Sequence, residues 1–189
     1  LCRPVAAAVA QRREAARDIG RKLAKVGFTM VTARGDVQPA PFPPDACEKL
    51  AEMGPDRFDR AFKFAFVRNP WDKVVSHYHY RVRTNRTGIA DEGIVFRDWV
   101  LRAYGERDPR YHDEPKMFMP QVYWVGDEDG RCLIDFVGRF ERLADDFGEV
   151  CRRIGVDATL PRIKATPHAH YREAYDDETR ALVAERFAP

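Results

Sequence analysis

Between Phe62 and Tyr80 the chain changes its hydrophobic period, and the change can be followed residue by residue. Lys63 to Val67 is a short apolar run rich in aromatic and β-branched side chains, the pattern of an interior parallel strand. Beyond Arg68, apolar residues recur at helical spacing as Trp71, Val74, Val75, Tyr78 and Val82. Asn69 is a good N-cap and Pro70 suits the first helical position. Asp72, Ser76, Tyr80 and Arg83 form a separate polar stripe on the predicted helix. The pattern therefore puts Arg68 at the carboxyl end of a strand and Ser76 on the helix that follows.

The same method divides the rest of the chain. Val5 to Leu23, rich in Ala and Arg, predicts an amphipathic helix, and Gly35 to Pro44 a Pro-rich loop. Asp45 caps a short helix from Ala46 to Met53, ended by Gly54-Pro55. Thr84 to Gly93 reads as a polar loop. Val95 to Tyr104 reads as a helix with Phe96, Trp99 and Val100 inward, and Gly105 to Met119 as polar and irregular. Val122 to Val125 and Cys132 to Val137 predict two strands joined by a turn at Asp127-Glu128-Asp129-Gly130. Leu143, Phe147, Val150, Cys151 and Ile154 mark one face of a helix that Gly155 stops. Asp176 caps a last helix carrying Leu182, Val183, Arg186 and Phe187. Phe64, Phe66, Leu133, Ile134, Phe136 and Val137 are expected on neighbouring strands of one mainly parallel sheet. The fold class is α/β, with helices on both faces of the sheet.

Composition narrows the function without choosing it. The 189 residues can bury one substantial core, and a single domain is the default. A net charge of +2 gives no general drive toward nucleic acid or membrane. No segment approaches the roughly 20 apolar residues of a membrane span, and the start is not patterned as a signal peptide. The four cysteines make no CxxC pair and no zinc spacing; Cys132 and Cys151 fall on apolar patterns and are expected to be buried thiols. His77 and His79 point to different faces of a helix, and no acid or thiol flanks His168 and His170 at ligand spacing, so no metal is expected. No GxxxxGK[ST] loop is present.

Candidate chemistry concentrates at Arg68 and Ser76. In open α/β sheets ligands bind at the carboxyl ends of the strands. An arginine fork, a hydroxyl and a helix N-terminus meeting there suit a phosphate. The competing assignment is a surface arginine and an ordinary helix-face serine.

FKFAFVRNPWDKVVSHYHY resembles the 3′-phosphate-binding motif of sulfotransferases that use 3′-phosphoadenosine 5′-phosphosulfate, with the carbohydrate-type and bacterial members nearest. The resemblance runs from Phe58 to the end, through the blocks Gln121–Ile154 and HYREAYDDETRALVAERFAP; residues 1–57 are divergent. It implies a P-loop-NTPase-like, mainly parallel sheet flanked by helices, incomplete at its N-terminus. It also implies sulfuryl transfer from that donor, with no metal, to a hydroxyl of a carbohydrate. Arg68 and Ser76 would hold the 3′-phosphate. Arg139, Lys164 and Arg172 are further candidates for donor contacts, each with a solvated surface role as the alternative.

The N-terminal third departs from the family pattern. Relatives open with a strand and a loop of the form PKTAGTS or PKVGST that holds the 5′-phosphosulfate. Lys25-Val26-Gly27-Phe28-Thr29 echoes it, which makes Lys25 and Thr29 candidates for that role. Against this, a predicted helix precedes the loop, and Phe28 to Thr32 follows it as a strand. Many relatives also place a catalytic histidine before the FVRNPW strand, whereas all five histidines here follow Ser76. Asp45 stands in that region as an alternative base or as a helix cap. With no initiator methionine, a truncated or decayed product would account for these departures. The expectation is a cytoplasmic, bacterial sulfotransferase domain that binds nucleotide better than it turns over. The rival is a remnant that binds 3′-phosphoadenosine 5′-phosphate or nothing.

Overall fold

The computed structural model describes residues 46–127, 129–158, 160 and 170–188. Lys25, Thr29, Asp45, Lys164 and the predicted Val5–Leu23 helix lie outside them. In chain order the elements are α1 (Ala46–Met53), α2 (Pro55–Arg60), β1 (Phe64–Val67), α3 (Pro70–Thr84), α4 (Ile89–Glu92), α5 (Phe96–Val100), α6 (Pro115–Phe118), α7 (Val122–Val125), β2 (Phe136–Arg139), α8 (Leu143–Ile154) and α9 (Asp177–Phe187). A π-helical turn, Leu101–Glu106, continues α5. Two compact units result: residues 46–67 with 124–160, and residues 68–123 with 170–188.

The first unit holds the sheet, which among the described residues has two strands. β1 and β2 are parallel and pair from Phe64↔Phe136 to Val67↔Arg139. Lys63 fixes the start of the register: its N–H donates to Asp135 Oδ2 at 2.7 Å, and its ammonium lies 2.9 Å from the same carboxylate. Gly138 is opposite Phe66, and a Cβ at Gly138 would stand 2.5 Å from the Phe66 ring. The absent side chain is what lets that ring lie across the sheet. Phe66 then packs with Phe147, Cys151 and Ile154 of α8. Asp146 in the first turn of α8 accepts from the Arg139 N–H at 2.6 Å and so ties the helix to the strand end. Gly155 stops α8 at φ 68°, as its position predicts.

Three expectations for this stretch need correction. Val122–Val125 is a helical turn, not a strand; four apolar residues are too few for periodicity to choose between the two. The expected strand Cys132–Val137 starts only at Phe136 and runs on to Arg139, leaving a single antiparallel bridge, Gly126↔Cys132. Cys132 is accordingly exposed, while Cys151 is buried as expected. Ahead of Cys132, at the expected turn, Asp127 Oδ1 accepts from the N–H groups of Asp129 and Arg131.

The second unit is built around α3. Its apolar stripe buries Val74 and Val75 against Trp99, Val100, Ala103, Tyr104, Tyr175 and Val183, with Trp71, Tyr78 and Val82 at the margin. α9 starts with a capping box between Asp176 and Thr179. Two segments expected to be polar loops also feed this core. Ile89 is fully buried at the head of α4, and Tyr111 and Phe118 are buried from the 105–119 stretch. Apolar residues this few and this irregularly spaced show no helical or strand period.

Candidate functional site

Local sequence builds the site at the start of α3. Asn69 Oδ1 accepts from the Trp71 and Asp72 N–H groups at 3.0 and 3.4 Å, and Pro70 occupies the first turn. The cap thus uses donors that a bare helix N-terminus would offer an anion. Binding of an anion here falls to side chains and to the helix dipole.

Arg68 directly follows β1 in sequence and is held through both its side chain and its backbone. Its Nε donates to Asp72 Oδ2 at 2.5 Å. Its N–H donates to Gln121 Oε1 at 2.8 Å, and its carbonyl accepts from Gln121 Nε2 at 2.5 Å. Asp72 and Ser76 are one turn apart on α3, on the polar stripe that the sequence predicts. Ser76 is half-buried, and its hydroxyl makes no hydrogen bond to another described residue.

The surroundings are basic and aromatic. Lys73 donates to the Met119 carbonyl at 3.1 Å and lies over the Phe187 ring. Burial pushes its ammonium down to about 8. A cleft of about 270 Å³ is lined by Trp71, Tyr171, Arg172, Tyr175 and Arg180. The Tyr175 hydroxyl donates to the Trp71 carbonyl at 2.8 Å, and Trp71 Nε1 to the Arg180 carbonyl at 3.3 Å, so α3 and the C-terminal segment fix its walls.

Of the sequence-predicted residues, Arg68 directly precedes the Asn69 cap, Ser76 lies in the second turn of α3, and exposed Arg172 lines the cleft. Arg139 is exposed at the end of β2 in the other unit. His77 is buried in the core, as its place on α3 allows, and no group of three or more His, Cys, Asp or Glu is arranged for a metal among the described residues. Sequence reasoning missed Gln121 and Lys73. A lone glutamine after a proline carries no periodic signal, and a lysine on a helix reads as solvated until its neighbours are known.

A family model described as "Sulfotransferase family" matches residues 44–187. The chain belongs to the sulfotransferase family. The match starts ahead of Phe58 and takes in α1 and α2 as well as the FVRNPW segment. An uncharacterized protein of Archaeoglobus fulgidus is 29% identical over 123 residues, covering 64% of this chain and 91% of that relative. No solved structure matches. Membership assigns this sulfotransferase domain to the transferases, with sulfuryl transfer to a hydroxyl-bearing acceptor as its chemistry. No helix among the described residues is long and apolar enough to cross a membrane.

Proposed function

We propose that the domain transfers the sulfuryl group of 3′-phosphoadenosine 5′-phosphosulfate to a hydroxyl of a carbohydrate, and that Arg68 and Ser76 hold the donor's 3′-phosphate. The observation that carries this is the strand–Arg68–capped helix–Ser76 arrangement inside the segment matched by the family. A guanidinium and a hydroxyl on one side of a helix start recognise a phosphate by charge-assisted hydrogen bonds. The donor supplies an activated sulfur. The acceptor oxygen bonds to it as the bond to the 5′-phosphate oxygen breaks, and the acceptor proton passes to a base. Lys25 and Thr29 are the proposed contacts of the 5′-phosphosulfate, by the likeness of Lys25–Thr29 to the family loop. Asp45 is the candidate base ahead of the FVRNPW strand.

The cleft beside Trp71 supports a sugar acceptor. Trp71, Tyr171 and Tyr175 offer aromatic faces for the apolar side of a sugar ring, and Arg172 and Arg180 can donate to its oxygens. The test is transfer of labelled sulfuryl groups to a panel of saccharides and of simple alcohols. The proposal expects a saccharide to be labelled in preference to the alcohols, and Arg68→Ala and Tyr171→Ala each to reduce that labelling. Preference for a non-sugar alcohol would refute the acceptor class. Labelling unaffected by Arg68→Ala would refute the donor assignment.

A further inference from the structure

Gln121 is far from Arg68 in sequence, yet its carboxamide brackets the Arg68 peptide on both sides, accepting from the N–H at 2.8 Å and donating to the carbonyl at 2.5 Å. The two bonds fix the orientation of the amide, because a peptide N–H needs the carboxamide oxygen and a peptide carbonyl needs its NH₂. β1 ends at Val67, so Arg68 is the first residue beyond the strand's paired length. Beyond the β1–β2 ladder, the glutamine side chain bonds the Arg68 peptide as a neighbouring strand's peptide would. The half-buried Asp72 then turns the guanidinium by accepting from Nε. Backbone and side chain of the arginine are thus each set by a different residue.

We propose that Gln121 is a positioning residue for recognition of the donor's 3′-phosphate, acting through Arg68; this rests on the assignment of Arg68 given above. A guanidinium on a long side chain loses much of its selectivity when its base is free to rotate, and fixing the φ and ψ of its own residue removes that freedom. Gln121 itself need not touch the nucleotide. Its effect should therefore show in discrimination between nucleotides with and without a 3′-phosphate, and it should depend on the Arg68 side chain.

The experiment is calorimetry on the full chain with 3′-phosphoadenosine 5′-phosphate and with adenosine 5′-phosphate. The ratio of their affinities should fall about tenfold in Gln121→Ala, the scale of one hydrogen bond. Gln121→Glu keeps the size and the acceptor but cannot donate to the Arg68 carbonyl, so it should also lower the ratio. It serves as the second variant should the alanine chain fail to fold. In an Arg68→Ala background, Gln121→Ala and Gln121→Glu should leave the ratio unchanged. A wild type that binds both nucleotides equally removes the Arg68 assignment and the proposal with it. A wild type that discriminates, with the ratio kept in both Gln121 variants, overturns the positioning role alone. A ratio that falls equally with and without the Arg68 side chain overturns it as well.

Discussion

The two ends of α3 each carry an arginine paired with an aspartate, and they do opposite things. At the amino end Arg68 and Asp72 are one helical turn apart, and their side chains keep 19% and 18% of their exposure. At the carboxyl end Arg81 is fully buried, bonded through Nε to His77 Nε2 at 2.9 Å and through Nη2 to Asp113. Arg86 also approaches Asp113, at 3.6 Å, and pairs with Glu114. The first pair sets the direction of a guanidinium that keeps some of its surface. The second ties α3 to the 107–115 segment with the Arg81 guanidinium fully buried, while Asp113 stays partly exposed. Residue type and pairing are thus shared, and burial separates Arg81, which is fully enclosed, from Arg68, which keeps part of its surface.

The buried end is also incompletely satisfied. Because His77 Nε2 accepts from Arg81, its Nδ1 carries the proton, and that donor has no partner. Arg81 Nη1, Trp99 Nε1 and the Tyr104 hydroxyl are likewise buried without a hydrogen-bond partner among the described residues. These groups pack in one aromatic cluster around Phe118. Such a cluster should be sensitive to loss of any remaining charge partner.

The largest expected effect follows from that. Asp113→Ala leaves the buried Arg81 charge uncompensated and should destabilise the fold by about 3–5 kcal/mol in chemical denaturation. Replacing both partners, Arg81→Met with Asp113→Leu, should recover most of the loss, because the desolvation of two charges is then removed. A small effect of Asp113→Ala would show that the carboxyl end is as solvated as the amino end.

His77 gives the next effect, as a pH dependence. Burial, and then the positive charges of Arg81, Lys73, Arg86 and His112, hold its imidazole well below the usual 6.5. The folded state keeps His77 neutral, while the unfolded chain takes up the proton near 6.5. Stability from this residue is therefore full above 6.5 and falls as pH drops below it, by up to about 1.4 kcal/mol per pH unit. Asp176, held at about 2 mainly by Thr179, contributes its full stability above its ordinary 3.8 and loses it only below that, outside this window. Denaturation curves of His77→Gln should be flatter than wild type between pH 6.5 and 5. A wild-type stability that does not change over that range would contradict the burial of His77.

Smaller effects belong at the amino end. Asp72→Ala should change stability by only about 0–1 kcal/mol, as for a partly exposed helix pair. Lys73→Met should raise Tm at pH 7, because it removes an ammonium whose burial is unfavourable. Wild-type Lys73 loses its charge in the fold above about 8 and in the unfolded chain near 10.5, so the advantage should shrink between those values. Thermal melts at pH 7 and 10 check both the sign and the window.

The amino end of α3 was legible in the sequence because every signal there is local. The period change, the Asn69 cap and Pro70 lie within one short segment, and the strand, the cap and the helix all form there. The helices ending at Gly155 and starting at Asp176 were legible for the same reason. What escaped depends on distant partners. Gln121 meets Arg68, and Asp113 meets Arg81, across long stretches of chain with no periodic link. Four apolar residues at Val122–Val125 fit either period and form a helical turn, and the apolar pattern that predicts a buried Cys132 does not reveal that the strand begins only at Phe136.

The central claim is that Arg68 holds a 3′-phosphate and Arg81 holds the fold. Calorimetry of 3′-phosphoadenosine 5′-phosphate against wild type and Arg68→Ala tests it most directly, with adenosine 5′-phosphate as the reference ligand. Arg68→Ala should weaken the bisphosphate by about 1.5–3 kcal/mol, the range for a charge-assisted hydrogen bond, and leave adenosine 5′-phosphate nearly unchanged. Equal affinity of the wild type for the two nucleotides, or an equal loss of both in Arg68→Ala, would contradict it.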